Sequence, residues 1–329
     1  MIKDYKERYT VYKDIIDEKL NNIIEKNIPR GIYEPLKYIL SGGGKRIRPV
    51  LLMFSCEAVG GNYSDTVDAA VSVEMLHNFT LIHDDIMDNA DKRRGKETIH
   101  KKWDRDVAIL SGDALLGLAY NTLLKTKSDN IRKITQAFTE GIIEVCEGQG
   151  FDKEFEIKKN VSLEEYLMMI NKKTSQLLVS CVRMGALIGN AIENSIKCLV
   201  NYAENIGLAF QIQDDLLDIT ADETKFGKKI GGDLREGKKT YLLLKALDVV
   251  KEKKDKVILE SIITNKGLQN DAEILKVKEI YEKYGIIESA KNEIEKYTSK
   301  ANEFLNELKN EDKKNSLKWF SDMLLSRST

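Results

Sequence analysis

One acidic pattern, D-D-x-x-D, occurs twice in the chain, as Asp84-Asp85-Ile86-Met87-Asp88 and as Asp214-Asp215-Leu216-Leu217-Asp218. Each copy follows an apolar stretch that reads as helix. Helical residues four apart lie one turn above each other on the same face, and residues three apart nearly so. Asp84 and Asp88 are therefore expected to point the same way with Asp85 beside them, and Asp214, Asp218 and Asp215 to repeat the arrangement. Like charges this close repel unless a cation lies between them. Hard divalent cations prefer oxygen, and Mg²⁺ typically takes one or two carboxylates plus substrate phosphates. One such string arises easily in acidic turns. Two copies, each ending an apolar helix where charge is costly to bury, predict two helices that clamp a metal–phosphate cluster.

Basic residues supply the other half of that chemistry. Gly42-Gly43-Gly44-Lys45-Arg46-Ile47-Arg48-Pro49 joins backbone amides to three cations. Glycine lets a backbone approach an anion closely, and arginine offers phosphate a two-pronged fork. The spacing is not that of a Walker loop, and taken alone the segment reads more simply as a flexible loop with a solvated basic face. Arg93-Arg94-Gly95 follows the first acidic pattern closely enough for a loop to fold back over a phosphate. Lys172-Lys173-Thr174 interrupts an otherwise apolar helix expected from about Tyr166 to Leu187, and an inward-facing Lys there needs an anion. Gly227-Lys228 and Gly237-Lys238 flank Asp233 beyond the second pattern. His77, two turns before Asp84, reads equally as a ligand or as a satisfied core histidine. His83 and His100 are less informative, and Trp103 and Trp319 read as packing residues.

The elements that must carry these groups are helical. All three prolines, Pro29, Pro35 and Pro49, precede residue 50, and a long proline-free remainder favours long helices with short connections. Apolar residues recur at helical spacing over 66–83 and again over 197–218, and no stretch alternates strictly enough to predict a sheet. Ser41 to Gly44 reads as a loop, Pro49 as part of the first turn of a helix, and Val59-Gly60-Gly61-Asn62 as its end. Residues 91–100 and 220–239 read as charged or glycine-rich loops, and about 249–316 as solvated outer helices. No linker divides the chain, so a single all-α domain over residues 1–329 is expected, with the acidic faces turned inward.

Bulk composition narrows the function. The 329 residues carry a net charge of −1, so no global basic field attracts nucleic acid or an anionic membrane. Cys56, Cys146, Cys181 and Cys198 show no metal-binding spacing, which fits a reduced, cytoplasmic protein. The N-terminus does not read as a signal peptide. No apolar run reaches the roughly 18 residues of a membrane span.

Taken together, G-G-K-R-I-R-P at 43–49, D-D-I-M-D at 84–88 with R-R-G at 93–95, K-T at 173–174, F-Q-x-Q-D-D-L-L-D at 210–218 and G-K…D-x-x-x-G-K at 227–238 resemble the trans-polyprenyl diphosphate synthases in order and spacing. The resemblance covers most of the chain from about 40 to 240. It implies an all-α isoprenoid synthase bundle with a deep cavity, usually a homodimer, and three Mg²⁺ ions. It further implies that Asp84 and Asp88, with Asp85 assisting, hold two Mg²⁺ on an allylic diphosphate, and that Asp214, with Asp215 and Asp218 close by, holds the third. Arg93, Lys173, Lys228 and Lys238 would neutralise that diphosphate. Lys45, Arg48, His77 and Arg94 resemble the pocket for isopentenyl diphosphate, and Thr174 and Gln211 would present oxygen dipoles near a developing carbocation.

Product length follows from helix rise. Phe79 precedes Asp84 by five residues, about 7.5 Å along a helix, so its ring would floor the cavity for a growing prenyl tail, beside the small Thr80. The string L-H-N-F-T-L-I-H-D-D-I-M-D at 76–88 is similar to that of archaeal geranylgeranyl diphosphate synthases. A C20 product is therefore expected, with C15 as co-product. A class I terpene cyclase would not need Lys45, Arg48 and Arg94. A non-catalytic partner subunit would be expected to lose one acidic motif, and both are intact. Two features depart from the family: the end Ser326-Arg327-Ser328-Thr329 offers only one Arg, and no proline follows the last Gly-Lys.

Overall fold

In the computed structural model, which describes residues 4–221, 230–308 and 311–326, helices dominate. The all-α expectation holds. The described chain forms two compact units. One is drawn from Met1–Ile142, Ser180–Leu199 and Leu308–Leu317, the other from Ile143–Val179, Val200–Glu307 and Lys318–Thr329. Each draws on separate stretches of the chain, so no single cut in the sequence divides them. No helix among the described residues is long and apolar enough to cross a membrane.

The first unit contains α1 (Tyr5–Asn22), α2 (Arg30–Leu40), α3 (Ile47–Ala58), α4 (Val67–Met87), α5 (Ile99–Lys102) and α6 (Arg105–Leu123). Its axis is α4, which packs on α6, α3, α1 and α2. The periodicity over 66–83 predicted an amphipathic helix, but every residue from Ala69 to Leu76 is buried, as in a helix enclosed on all sides. Glu74, inside that run, is tolerated because Arg46 reaches it at 2.6 Å. Pro49 occupies the first turn of α3, and the helix ends at Ala58 as predicted. Pro35 lies inside α2.

Residues 91–100 are not all loop. Lys92–Arg93 and Lys96–Glu97 pair antiparallel, with Arg93 opposite Lys96. Arg94 and Gly95 between them have φ of 52° and 77°, the two left-handed residues that a tight hairpin requires. Such strands are too short for alternation to reveal.

The second unit holds part of α7 (Ile131–Ile157), α8 (Leu163–Ile170), a π-helical turn over Asn171–Ser175, the first turn of α9 (Gln176–Ile188) and the later part of α10 (Glu193–Thr220). The helices over Gly232–Glu236, Tyr241–Val249, Lys253–Thr264, Asp271–Lys283 and Ile286–Leu305, and the later part of the one over Glu311–Leu325, belong to it as well. One continuous core joins Tyr166, Ile212, Leu216, Leu243, Leu259, Val277, Tyr281 and Ala290. The segment 249–316 was expected to be an outer, solvated layer. Its charged faces are solvated, yet Leu259, Val277 and Ala290 are fully buried.

Candidate active site

Both acidic patterns lie in the last turns of helices, α4 and α10. Helix C-termini carry partial negative charge, so clustered carboxylates there are doubly disfavoured and need compensation. The structure divides each triplet between internal and outward-facing duties.

In the first unit Asp85 is buried and accepts from Arg93 Nε at 2.7 Å. Burial raises its pKa, and Arg93 opposes that rise. Asp84 is half-buried and Asp88, the residue that ends α4, is exposed. The hairpin turn sends Arg94 back to the glycine loop, where its guanidinium donates to the Gly43 carbonyl. A Cβ on Gly44 would lie 2.8 Å from Arg94 Nη1, and Gly44 has φ of 151°, so the backbone favours glycine there and a side chain would push the Arg94 tip aside. Arg48 Nη1 lies 3.2 Å from His77 Nε2. Burial, and then the guanidinium groups of Arg48, Arg94, Arg93 and Arg46, push His77 well below the usual imidazole range. His77 is therefore neutral, and its Nε2 can only accept from Arg48, which places the ring proton on Nδ1.

The glycine loop does not offer three cations to a ligand. Arg46 is 3% exposed and turned inward, to Asp17 Oδ1 at 2.7 Å and Glu74 Oε1 at 2.6 Å. Its φ of 53° at the start of α3 swings it away from its neighbours. Lys45 is exposed and Arg48 half-buried, and the Lys45 carbonyl accepts from the Tyr9 hydroxyl. Phe79 is buried, its ring centroid 4.5 Å from that of His83. The Thr80 hydroxyl donates to the His77 carbonyl at 2.8 Å.

In the second unit Asp215 is buried. It accepts from the Tyr166 hydroxyl, from the Tyr241 amide at 3.0 Å and from Gln211 Nε2 at 3.2 Å. Burial pushes its pKa up to about 6 although these donors hold it down, and Asp214 adds to the rise. Asp218 accepts from the amides of Gly232 and Asp233, both at 3.1 Å, at the start of a short helix over Gly232–Glu236. Asp233 is pushed up to about 7 by burial and then by Asp215 and Asp218. Asp214 is half-buried. Lys238 Nζ reaches Glu236 at 2.6 Å and Asp233 at 3.8 Å. Lys228 lies outside the described residues.

Lys173 and Thr174 sit in the π-turn. Lys173 Nζ donates to Asp152 Oδ2 at 2.5 Å, and Lys172 to Glu144 and Glu147 at 2.7 Å each. The anion that the sequence demanded for these lysines is thus supplied here by α7. Thr174 Oγ1 donates to Gln211 Oε1 at 2.9 Å, extending the chain that ends on Asp215. The wide turn fits because glycine faces it from α7 and from α10. A Cβ on Gly148 would lie 2.3 Å from the Lys173 amide nitrogen, and one on Gly207 2.4 Å from Ser175 Oγ.

The donor set suits Mg²⁺ in kind. It is carboxylate oxygen at negative helix ends, Asp84 and Asp88 at the end of α4 and Asp214 near the end of α10. No group of three acidic, histidine or cysteine side chains among the described residues is close enough to hold an ion unaided. The sequence did not single out Asp17, Glu74, Asp152, Tyr166 or Tyr241, which tether the predicted groups. Their signal is polarity at buried positions, which emerges only once burial is known. A separate cleft of about 480 Å³ lined by Leu20, Ile24, Tyr38, Lys102 and Trp103 contains none of the predicted residues.

Comparison with known proteins agrees with this chemistry. The family model described as polyprenyl synthetase matches residues 29–284. The chain is 36% identical over 317 residues to the short chain isoprenyl diphosphate synthase of Methanothermobacter thermautotrophicus, covering 96% of both. It is 36% identical over 318 residues to the geranylgeranyl diphosphate synthase of Sulfolobus acidocaldarius, covering 95% of both. The crystal structure of geranylgeranyl pyrophosphate synthetase from Pyrococcus horikoshii matches with a TM-score of 0.92 at 36% identity, covering 98% of this chain and 99% of that one.

Proposed function

The chain belongs to the polyprenyl synthetase family and is a trans-prenyltransferase, and on that premise we propose that it condenses isopentenyl diphosphate with dimethylallyl, geranyl and farnesyl diphosphates. The product is geranylgeranyl diphosphate (C20), with farnesyl diphosphate (C15) as co-product. The observation that carries this reading is the gathering of arginines at His77: Arg48 Nη1 lies 3.2 Å from His77 Nε2, and Arg94 is turned back to the Gly43 carbonyl. Clustered guanidinium forks suit a diphosphate.

Lys45, Arg48, His77 and Arg94 hold isopentenyl diphosphate. Arg48 and Arg94 supply forked donors, and His77, kept neutral, adds a dipole without competing for charge. Asp84 and Asp88 would hold Mg²⁺ for the allylic diphosphate and Asp214 a further ion, while Asp85, Asp215 and Asp218 fix the helix ends that present them. Bound Mg²⁺ would neutralise the charge that grows on the leaving diphosphate. Arg93, Lys173, Lys228 and Lys238 share that task, so electrostatic stabilisation of the departing anion is the main source of rate.

The allylic C–O bond breaks with its electron pair on the diphosphate. The isopentenyl double bond then attacks the carbocation, and the new bond is completed by loss of a proton to the released diphosphate. Thr174 donates its proton to Gln211 and so keeps its lone pairs for the cation. Phe79, buried and five residues below Asp84, ends the space for the tail, and Thr80 beside it leaves room. Apolar walls keep water from quenching the cation. The protein works as a cytoplasmic homodimer, which light scattering tests.

Incubation of the purified chain with Mg²⁺, isopentenyl diphosphate and each allylic starter, followed by extraction, tests the assignment. Elongation to C20 is expected. A cyclised hydrocarbon would instead favour a terpene cyclase, and no turnover would favour a non-catalytic subunit. Phe79→Ala is expected to give longer chains, and an unchanged product would remove Phe79 from its role.

A further inference from the structure

His83 precedes the first acidic motif and takes no part in the chemistry above, yet its surroundings are unusual. Its ring centroid lies 4.5 Å from that of Phe79 at an interplanar angle of 53°. Its Nε2 is buried with no hydrogen-bond partner, and its nearest carboxylate, Asp113 Oδ1, is 3.8 Å away. On α6 the residue beneath it is Gly112, fully enclosed. A Cβ there would lie 2.4 Å from His83 Nε2 and 2.7 Å from Cδ2. Real Cβ atoms do not approach so closely, and both Gly112 and the histidine ring belong to the tight α4–α6 packing. The histidine is thus stacked against Phe79 and seated on Gly112, where any side chain would push its ring aside.

We propose that His83 and Gly112 are positioning residues for product length. Gly112 makes the seat, His83 occupies it, and His83 holds the Phe79 ring across the path of the growing prenyl tail. The inference rests on the reading of Phe79 as the floor of that path. Offset and tilted aromatic pairs stabilise one relative orientation beyond the area they bury. Loss of the stack leaves Phe79 in place but lets its ring turn aside. Added bulk at Gly112 acts through the histidine, because the ring is what it meets.

The test measures product-length distributions for Phe79→Ala, His83→Ala, Gly112→Ala and the His83→Ala/Gly112→Ala double variant, at high enzyme so that slow variants still report. Phe79→Ala checks the underlying reading alone. Given longer chains from it, His83→Ala and Gly112→Ala are each expected to raise the fraction beyond C20 several-fold. Gly112→Ala should add nothing in the His83→Ala background, since its collision partner is gone. The inference is overturned if both single variants keep the parental distribution. It is also overturned if Gly112→Ala acts equally with and without His83. A merely structural role would change yield or stability without moving the product ratio.

Discussion

At the scale of single residues, neighbouring groups of the same type have separate duties. Arg46 and Arg48 are two positions apart, yet Arg46 is locked between Asp17 and Glu74 while Arg48 faces His77. Breaking a buried pair leaves a carboxylate uncompensated, so Arg46→Ala is expected to cost about 3–5 kcal/mol of stability, read by chemical denaturation. Arg48→Ala should leave the midpoint nearly unchanged. It should raise KM for isopentenyl diphosphate about ten- to a hundredfold, the worth of one hydrogen bond to a charged group. Asp233 gives a pH signature. Its folded pKa of about 7 lies above its ordinary 3.8, so the folded state holds a proton that the unfolded state has released. Its contribution is complete below pH 3.8 and is lost as pH rises through about 7. In metal-free buffer, Asp233→Asn should therefore gain on the parent as pH rises from about 4 to about 7, by about 1.4 kcal/mol per unit of displacement. Thermal melts across that range check it, and a parallel pH dependence in both proteins would contradict it. The acidic and basic motifs were legible at this scale because their residue types and spacing state their chemistry. Their tethers were not, since Tyr166 and Asp152 look ordinary until burial and distance select them.

Among the elements, the π-turn over Asn171–Ser175 does the most to place chemistry. It sets Lys173 toward Asp152 and Thr174 toward Gln211, and such turns often mark functional sites. Its neighbours permit it, because Gly148 and Gly207 each leave a gap that a methyl would fill. Gly148→Ala is expected to destabilise by about 1–3 kcal/mol, the usual cost of overpacking. It should also lower kcat more than an alanine at exposed Gly150, for which no atom lies within 4 Å. Equal kcat in the two variants would detach the turn from catalysis. Nothing local in 171–175 announced this turn, because its signal lies in glycines on two other helices. Helices over 66–83 and 197–218 were visible from periodicity, but full enclosure of Ala69 to Leu76 was not, since a spacing pattern records the apolar residues and not the neighbours that cover the rest. The hairpin at Arg93–Lys96 escaped notice for want of length.

For the whole molecule, the all-α architecture followed from the absence of proline after Pro49 and from the helical spacing. The division into two compact units did not, because each unit is assembled from interleaved stretches and leaves no linker to read. The first unit carries Asp84, Asp88 and the Arg48–His77–Arg94 cluster. The second carries Asp214, Lys173 and Lys238. If both sets serve one reaction, Asp84→Asn and Asp214→Asn should each depress kcat by several orders of magnitude without unfolding the chain, and circular dichroism alongside turnover separates those outcomes. The central claim is that this chain alone builds a C20 allylic diphosphate from isopentenyl diphosphate. The most direct measurement incubates the purified protein with Mg²⁺, isopentenyl diphosphate and dimethylallyl diphosphate and identifies the extracted products by mass. Geranylgeranyl diphosphate as the main product is the predicted result, and recovery of the unextended starter would contradict it.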